Sequence, residues 1–192
     1  VTTKAYDVHD AICQVAHRLN AHSVIVVLVN GMGFMEPLNQ QFPKLNFTLA
    51  TTTEGAYRTG ENQLYHAGKG TTQLGQVGQA TAPDWFSSWD KLAMTCRWNA
   101  NIEQTLWQKL AINCAINPLT AKHRCRNGEL AGAAIAAQVN ALCDEIAQVS
   151  RAVGYHQTAD SIHREVQRVI QATANNKSSM LQDSLAGRPT EI

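Results

Sequence analysis

Lys109, Asn113 and Asn117 recur at every fourth position through the run KLAINCAINPLT, whose remaining residues are almost all apolar. On an α-helix such a spacing stacks the three polar heads into one stripe. The residue types suggest a use for it. A lysine held in a cleft supplies a proton and a positive charge, while asparagine supplies two donors and an acceptor without charge. Asparagine is a mediocre helix former, so two of them beside a lysine read as a surface built to hydrogen-bond a small polar molecule. The competing reading is an inter-helix network with the lysine snorkelling to solvent. Two further polar stretches are worth marking, NNKSSM at Asn175 to Met180 and Glu191 in RPTEI, although each alone reads as loop and cap chemistry.

The elements that must position these groups divide the chain in two. The first half alternates strands and helices. Val1 to Ala5 reads as the end of a strand, and Val8 to Leu19 has the i, i+3, i+4 apolar spacing of an amphipathic helix. Val24 to Val29 is an unbroken, mostly β-branched run, as expected of a parallel strand covered on both faces. Asn30, Gly31 and Gly33 punctuate its carboxyl end, where open α/β sheets bind ligands. The turn Gly31-Met32-Gly33-Phe34-Met35-Glu36 has the setting of a dinucleotide-binding loop, but a carboxylate at the third glycine's place would oppose a pyrophosphate. It reads instead as a tight turn whose glycines let some ligand approach the backbone. A further strand is expected over Phe47 to Thr53, then two segments, Asn62 to His66 and Thr71 to Gln76, separated by AGKG and expected to be antiparallel.

After Pro83 the pattern predicts helices only. They span Trp85 to Met94, Ile102 to Ile116, Ala131 to Val153 with Gly154 as C-cap, and Ala159 to Ala174 with Thr158 as N-cap. Asn99 or Asn101 caps the helix that carries the lysine stripe, which puts the domain boundary near Trp98, with domains at 1–98 and 99–192.

Composition narrows the function classes. The 192 residues are 44% hydrophobic, enough for a substantial core, and 16 Lys and Arg against 15 Asp and Glu leave no basic stripe for a nucleic acid. No apolar run approaches the roughly 20 residues of a membrane span, so a cytoplasmic location is expected. The five cysteines, Cys13, Cys96, Cys114, Cys125 and Cys143, are scattered without a CxxC, which argues for reduced thiols and against a disulfide framework or metal site.

KLAINCAINPLTA, NGEL, ATANNKSSMLQD and TEI, together with VTTKAYDV and the NGMG turn, closely resemble the ketopantoate (2-dehydropantoate) reductases, in the same order along nearly the whole chain. The resemblance implies an α/β plus all-α fold, a partial Rossmann-like NADP-binding domain followed by a helical substrate-binding domain, with the reaction in the cleft between them. It implies NADPH-dependent reduction of 2-dehydropantoate to pantoate, with Lys109 as general acid and Glu191 close to it and to the cofactor. Asn113, Asn117, Asn127, Asn176 and Ser179 match substrate-binding positions. Asn30 matches a position near both the nicotinamide and the substrate, and Lys4 and Ala56 match cofactor positions. The family's glycine-rich pyrophosphate loop would lie before Val1, on the order of 60 to 70 residues upstream material at a typical βαβ length, and further helices would follow Ile192. A chain of these 192 residues alone is therefore expected to be inert. Two alternatives stand beside this one: a related dehydrogenase of another 2-keto acid, and a non-enzymatic module that associates as a homodimer.

Overall fold

A computed structural model describes residues 1–191, and the chain forms two compact units, Val1–Thr105 and Leu106–Ile192. The break falls inside the helix that carries the lysine stripe, because that helix's first turn belongs to the first unit. Ile102 is buried there, and a Cβ built on Gly75 would lie 2.7 Å from the Ile102 Cβ.

The first unit is built on a four-stranded sheet, in the spatial order β1 (Val24–Leu28), β2 (Asn46–Thr52), β5 (Thr71–Gly75) and β6 (Thr95–Trp98). β1 runs parallel to β2 with Val27 opposite Leu49, β2 antiparallel to β5, and β5 parallel to β6. Both faces of β1 are covered, which accounts for its unbroken apolar run. Ile25 and Val27, with Val29 just beyond, bury against Val8 and Ile12 of α1 (Val8–Val15), Leu38 of α2 (Met35–Gln41) and Phe47. Val26 and Leu28 pack on the other side with Ala50, Leu74, Phe86 and three tryptophans. There Trp85, Phe86 and Trp98 meet edge to face at 5.6 to 6.1 Å, a geometry favoured by the ring quadrupoles.

Several expectations for this unit are corrected. Val1 to Ala5 is not a strand: Val1 alone bonds β1, giving its nitrogen to the Val26 carbonyl and accepting from the Leu28 N–H, before a 3-10 turn at Ala5–Asp7. Asn62 to His66 does not pair with Thr71 to Gln76. It lies in β4 (Gln63–Gly68), which pairs back onto β3 (Gly55–Gly60) through a turn with Asn62 at φ 62, leaving β5 to join β2. A strand also returns after Pro83, since Thr95–Trp98 is β6, and the helix expected over Trp85 to Met94 is a 3-10 stretch at Asp84–Lys91. Four residues are too few for alternation to be read above the helical pattern.

The second unit is helical. α3 (Ile102–His123) runs well past Ile116 and through Pro118, whose missing N–H leaves one carbonyl of the turn without its helical donor. α4 (Ala133–Ala152) and α5 (His156–Ala172) run antiparallel, with Arg151 on Asp160 and His163 on Asp144 along the exposed edge. Val139, Cys143 and Ala147 of α4 and Ile162, Val166 and Ile170 of α5 are buried with Ala115, Ile116 and Leu119 of α3 and with Leu130. Gly154, at φ 90, ends α4 as expected. Thr158, expected as an N-cap, is instead buried within α5, which begins at His156 because Tyr155 already returns its N–H to the Ser150 carbonyl. Asn99 organises the start of α3: its Oδ1 accepts from the Asn101 N–H at 2.8 Å, and its Nδ2 lies 2.7 Å from both Gln73 Oε1 and Thr105 Oγ1. Among the described residues no helix is long and apolar enough to cross a membrane.

Candidate functional site

Lys109 lies in the third turn of α3, half-buried, with Asn113 and Asn117 one and two turns further along, also half-buried. Burial pushes the Lys109 ammonium below the usual lysine range, and the Glu191 carboxylate pulls it partly back. The lysine thus pays a desolvation cost that an ordinary surface lysine avoids. Two residues before it, Trp107 stacks on Tyr155 with ring centroids 4.6 Å apart and donates Nε1–H to Ser150 Oγ at 3.0 Å. That contact fixes this stretch of α3 against the end of α4.

The segment carrying Asn176 and Ser179 is tied down from several directions. α3 ends with Arg124 in the left-handed region at φ 51, and the Cys125 N–H reaches back to the Thr120 carbonyl. The chain then runs alongside residues 174–176: Asn127 N–H donates to the Asn176 carbonyl and Gly128 N–H to the Ala174 carbonyl, both at 3.0 Å, while Arg126 Nη1 donates to the Asn175 carbonyl. Only a glycine permits this approach, because a Cβ on Gly128 would stand 2.7 Å from the Ala174 Cβ. Ser178 caps α6 (Ser179–Leu185), its Oγ accepting from the Leu181 N–H at 3.0 Å, and lies 2.6 Å from Thr120 Oγ1. Asn176 and Ser179 themselves are exposed.

Asn127 is different. It is buried, its Nδ2 donates to Thr173 Oγ1 at 2.8 Å, and its Oδ1 is a buried acceptor with no hydrogen-bond partner among the described residues. A buried acceptor left unmet costs free energy, so this atom is suited to a ligand donor.

In the first unit, Asn30 stands at the carboxyl end of β1. Gly31 and Gly33 follow at φ 85 and 92, conformations that strain any residue with a side chain. A Cβ on Gly33 would meet nothing within 4 Å and one on Gly31 only the Ala5 Cβ, so the turn leaves room for close approach and brings the Lys4-Ala5 segment beside it. Open α/β sheets take ligands at such a position, outside the carboxyl end of a parallel strand. Ala56 is exposed on β3, opposite His66, whose Nε2 lies 2.7 Å from Glu54 Oε2. Within the second unit the structure therefore brings Lys109, Asn113, Asn117 and Glu191 together around α3 and anchors Asn176 and Ser179 to its end. Within the first it gathers Lys4 and Asn30 about the glycine turn. The sequence reading missed Thr120, Arg126, Gly128 and Ser178, which position rather than present chemistry; the one local signal was a serine three residues before Leu181, the spacing of an N-cap.

An α/β unit whose glycine turn follows the carboxyl end of the parallel strand β1, joined in sequence to a helical unit carrying a desolvated lysine, is a Rossmann-like fold with an added helical domain. Residues 1–79 match the family described as ketopantoate reductase PanE/ApbA, and residues 101–192 match its C-terminal domain. The chain belongs to the ketopantoate reductase family. A 2-dehydropantoate 2-reductase of Vibrio cholerae is 39% identical over the whole of this chain and 66% of its own length. The PanE/ApbA family ketopantoate reductase of Ralstonia eutropha superposes with a TM-score of 0.86 at 21% identity, over 99% of this chain and 63% of that one. A D-mandelate dehydrogenase solved with NADH and anilino(oxo)acetate reaches the same TM-score at 20% identity, over 98% and 63%. The chain spans between 62% and 66% of the length of the curated relatives it matches.

Proposed function

We propose that these residues belong to an NADPH-dependent reductase that converts 2-dehydropantoate to pantoate, in the route to pantothenate and coenzyme A, with Lys109 as the general acid. The observation that carries this reading is the desolvated Lys109, balanced by Glu191, at the head of an asparagine stripe. When bound, the reduced nicotinamide supplies a hydride to the keto carbon. The Lys109 ammonium gives its proton to the keto oxygen as charge develops there, and desolvation strengthens that interaction. Glu191 offsets part of the desolvation of the amine and stands beside the cofactor. Asn113, Asn117, Asn176 and Ser179 orient the substrate through its carboxylate and hydroxyl, uncharged donors that leave the Lys109 charge for the reacting oxygen. Asn127 turns its unmet Oδ1 to a substrate hydroxyl. Asn30, Lys4 and Ala56 hold the cofactor at the carboxyl end of β1 and beside β3.

The test is NADPH oxidation by protein containing these residues, with 2-dehydropantoate and a panel of other 2-keto acids. The expected result is a preference for 2-dehydropantoate in kcat/KM, and a fall in kcat of about 100-fold or more in Lys109→Ala. Faster turnover of an aromatic or smaller keto acid would assign the chain to a related dehydrogenase, the reading that the mandelate dehydrogenase likeness favours. Retention of kcat within tenfold in Lys109→Ala would overturn the role of the lysine.

A further inference from the structure

Thr120 is fully buried and joins the two parts of the second unit that carry the proposed substrate groups. Its hydroxyl donates to the Asn117 carbonyl at 2.9 Å. A hydroxyl has one proton, so the 2.6 Å contact between Thr120 Oγ1 and Ser178 Oγ must be donated by Ser178. The Ser178 oxygen in turn accepts the Leu181 N–H at 3.0 Å. The directions are thereby fixed along the whole path, from Leu181 N–H to Ser178 hydroxyl, to Thr120 hydroxyl, to Asn117 carbonyl. Aligned hydroxyls polarise one another, so the path is stiffer than its separate bonds. One end is the residue bearing a stripe amide, and the other is the first turn of α6, where Ser179 follows Ser178 directly. Both hydroxyls are buried, Thr120 at 0% and Ser178 at 6% exposure, so water does not replace a lost link at low cost.

We infer that this hydroxyl chain is the register device of the substrate site: Thr120 and Ser178 are positioning residues that hold Asn176 and Ser179 at a fixed distance from Asn117. The inference rests on the proposed reductase function for its kinetic consequence, but not for its structural one. Thr120→Val keeps the shape of the side chain and removes both links, leaving the Ser178 proton unmet. KM for 2-dehydropantoate is expected to rise about fivefold or more, the equivalent of one unmet buried hydroxyl, while kcat and KM for NADPH stay within twofold. Thr120→Ser, which restores the oxygen and proton, recovers the wild-type KM. A general loss of fold would move all three parameters together, and that pattern, or an unchanged KM in Thr120→Val, overturns the inference.

Amide hydrogen exchange is measured on the same variants without substrate. Thr120→Val is expected to speed exchange at Leu181 and Gln182, with the centres of α4 and α5 unchanged. Unchanged exchange at Leu181 overturns the inference whatever the substrate turns out to be. Faster exchange at Leu181 in a protein that does not reduce 2-dehydropantoate would sustain the positioning role and reject the substrate assignment.

Discussion

Gly128→Ala is the perturbation whose consequence is most directly calculable. The added Cβ would stand 2.7 Å from Ala174 Cβ, 3.0 Å from Ala174 Cα and 3.1 Å from the Ala174 carbonyl oxygen. Ordinary contact begins at 3.4 Å, so the two segments must separate by about 0.7 Å. The obstacle is largely backbone, and no side-chain rotation relieves it. That displacement stretches the 3.0 Å bond from Gly128 N–H to the Ala174 carbonyl beyond hydrogen-bonding range. Overpacking of this kind costs about 1 to 3 kcal/mol, and a lost backbone bond adds about 1 kcal/mol. A total of about 2 to 4 kcal/mol lowers Tm by roughly 4 to 16 °C in a chain of this size. Because residues 174–176 lead into Asn176 and Ser179, KM for the keto acid should rise with it. Gly68→Ala is the control, since a Cβ there meets nothing within 4 Å and should leave stability within about 0.5 kcal/mol. Thermal melting of both variants decides the matter. A Gly128→Ala protein melting within 1 °C of the Gly68→Ala control would refute the claim that this close approach holds the segment.

The proton donor must be charged to act, so activity falls as pH rises through the Lys109 pKa; Glu191 raises that pKa, and Glu191→Gln should therefore move the alkaline limb of the kcat profile to lower pH, an upward or absent shift counting against the pairing. Leu130, fully buried in the helical core, should cost about 2 to 5 kcal/mol as Leu130→Ala and less than about 1.5 kcal/mol as Leu130→Met, measured by urea titration. The Cys143 thiol is buried and pushed up to about 11, so a disulfide reagent followed by peptide mass analysis should label exposed Cys13 long before Cys143, which reacts only on unfolding.

What could be read from order along the chain is whatever depends on short-range periodicity. The Lys109, Asn113, Asn117 stripe follows from helix geometry alone, because residues four apart share a face wherever the helix is placed. The β1 run and the positive-φ glycines after it were legible for the same reason: a strand buried on both faces needs apolar residues throughout, and a tight turn at its end needs positions without a Cβ. Gly154 announced the end of α4 in the same way.

Tertiary structure decided the rest, since it turns on pairs far apart in sequence. Whether Thr71–Gly75 lies beside Gln63–Gly68 or Asn46–Thr52 depends on which closure leaves its apolar residues covered, and no local pattern distinguishes the two. The four-residue β6 exists because β5 offers it an edge. Thr120 and Ser178 are unremarkable residues until the fold sets their oxygens 2.6 Å apart across 58 positions, and Gly128 shows no need to be glycine until Ala174 is laid against it. The sequence by itself thus determined which groups can do chemistry and on which face of a helix they stand. Only packing decided how deeply Lys109 is desolvated and what holds Asn176 and Ser179 in place, because burial and hydrogen-bond partners belong to no single segment.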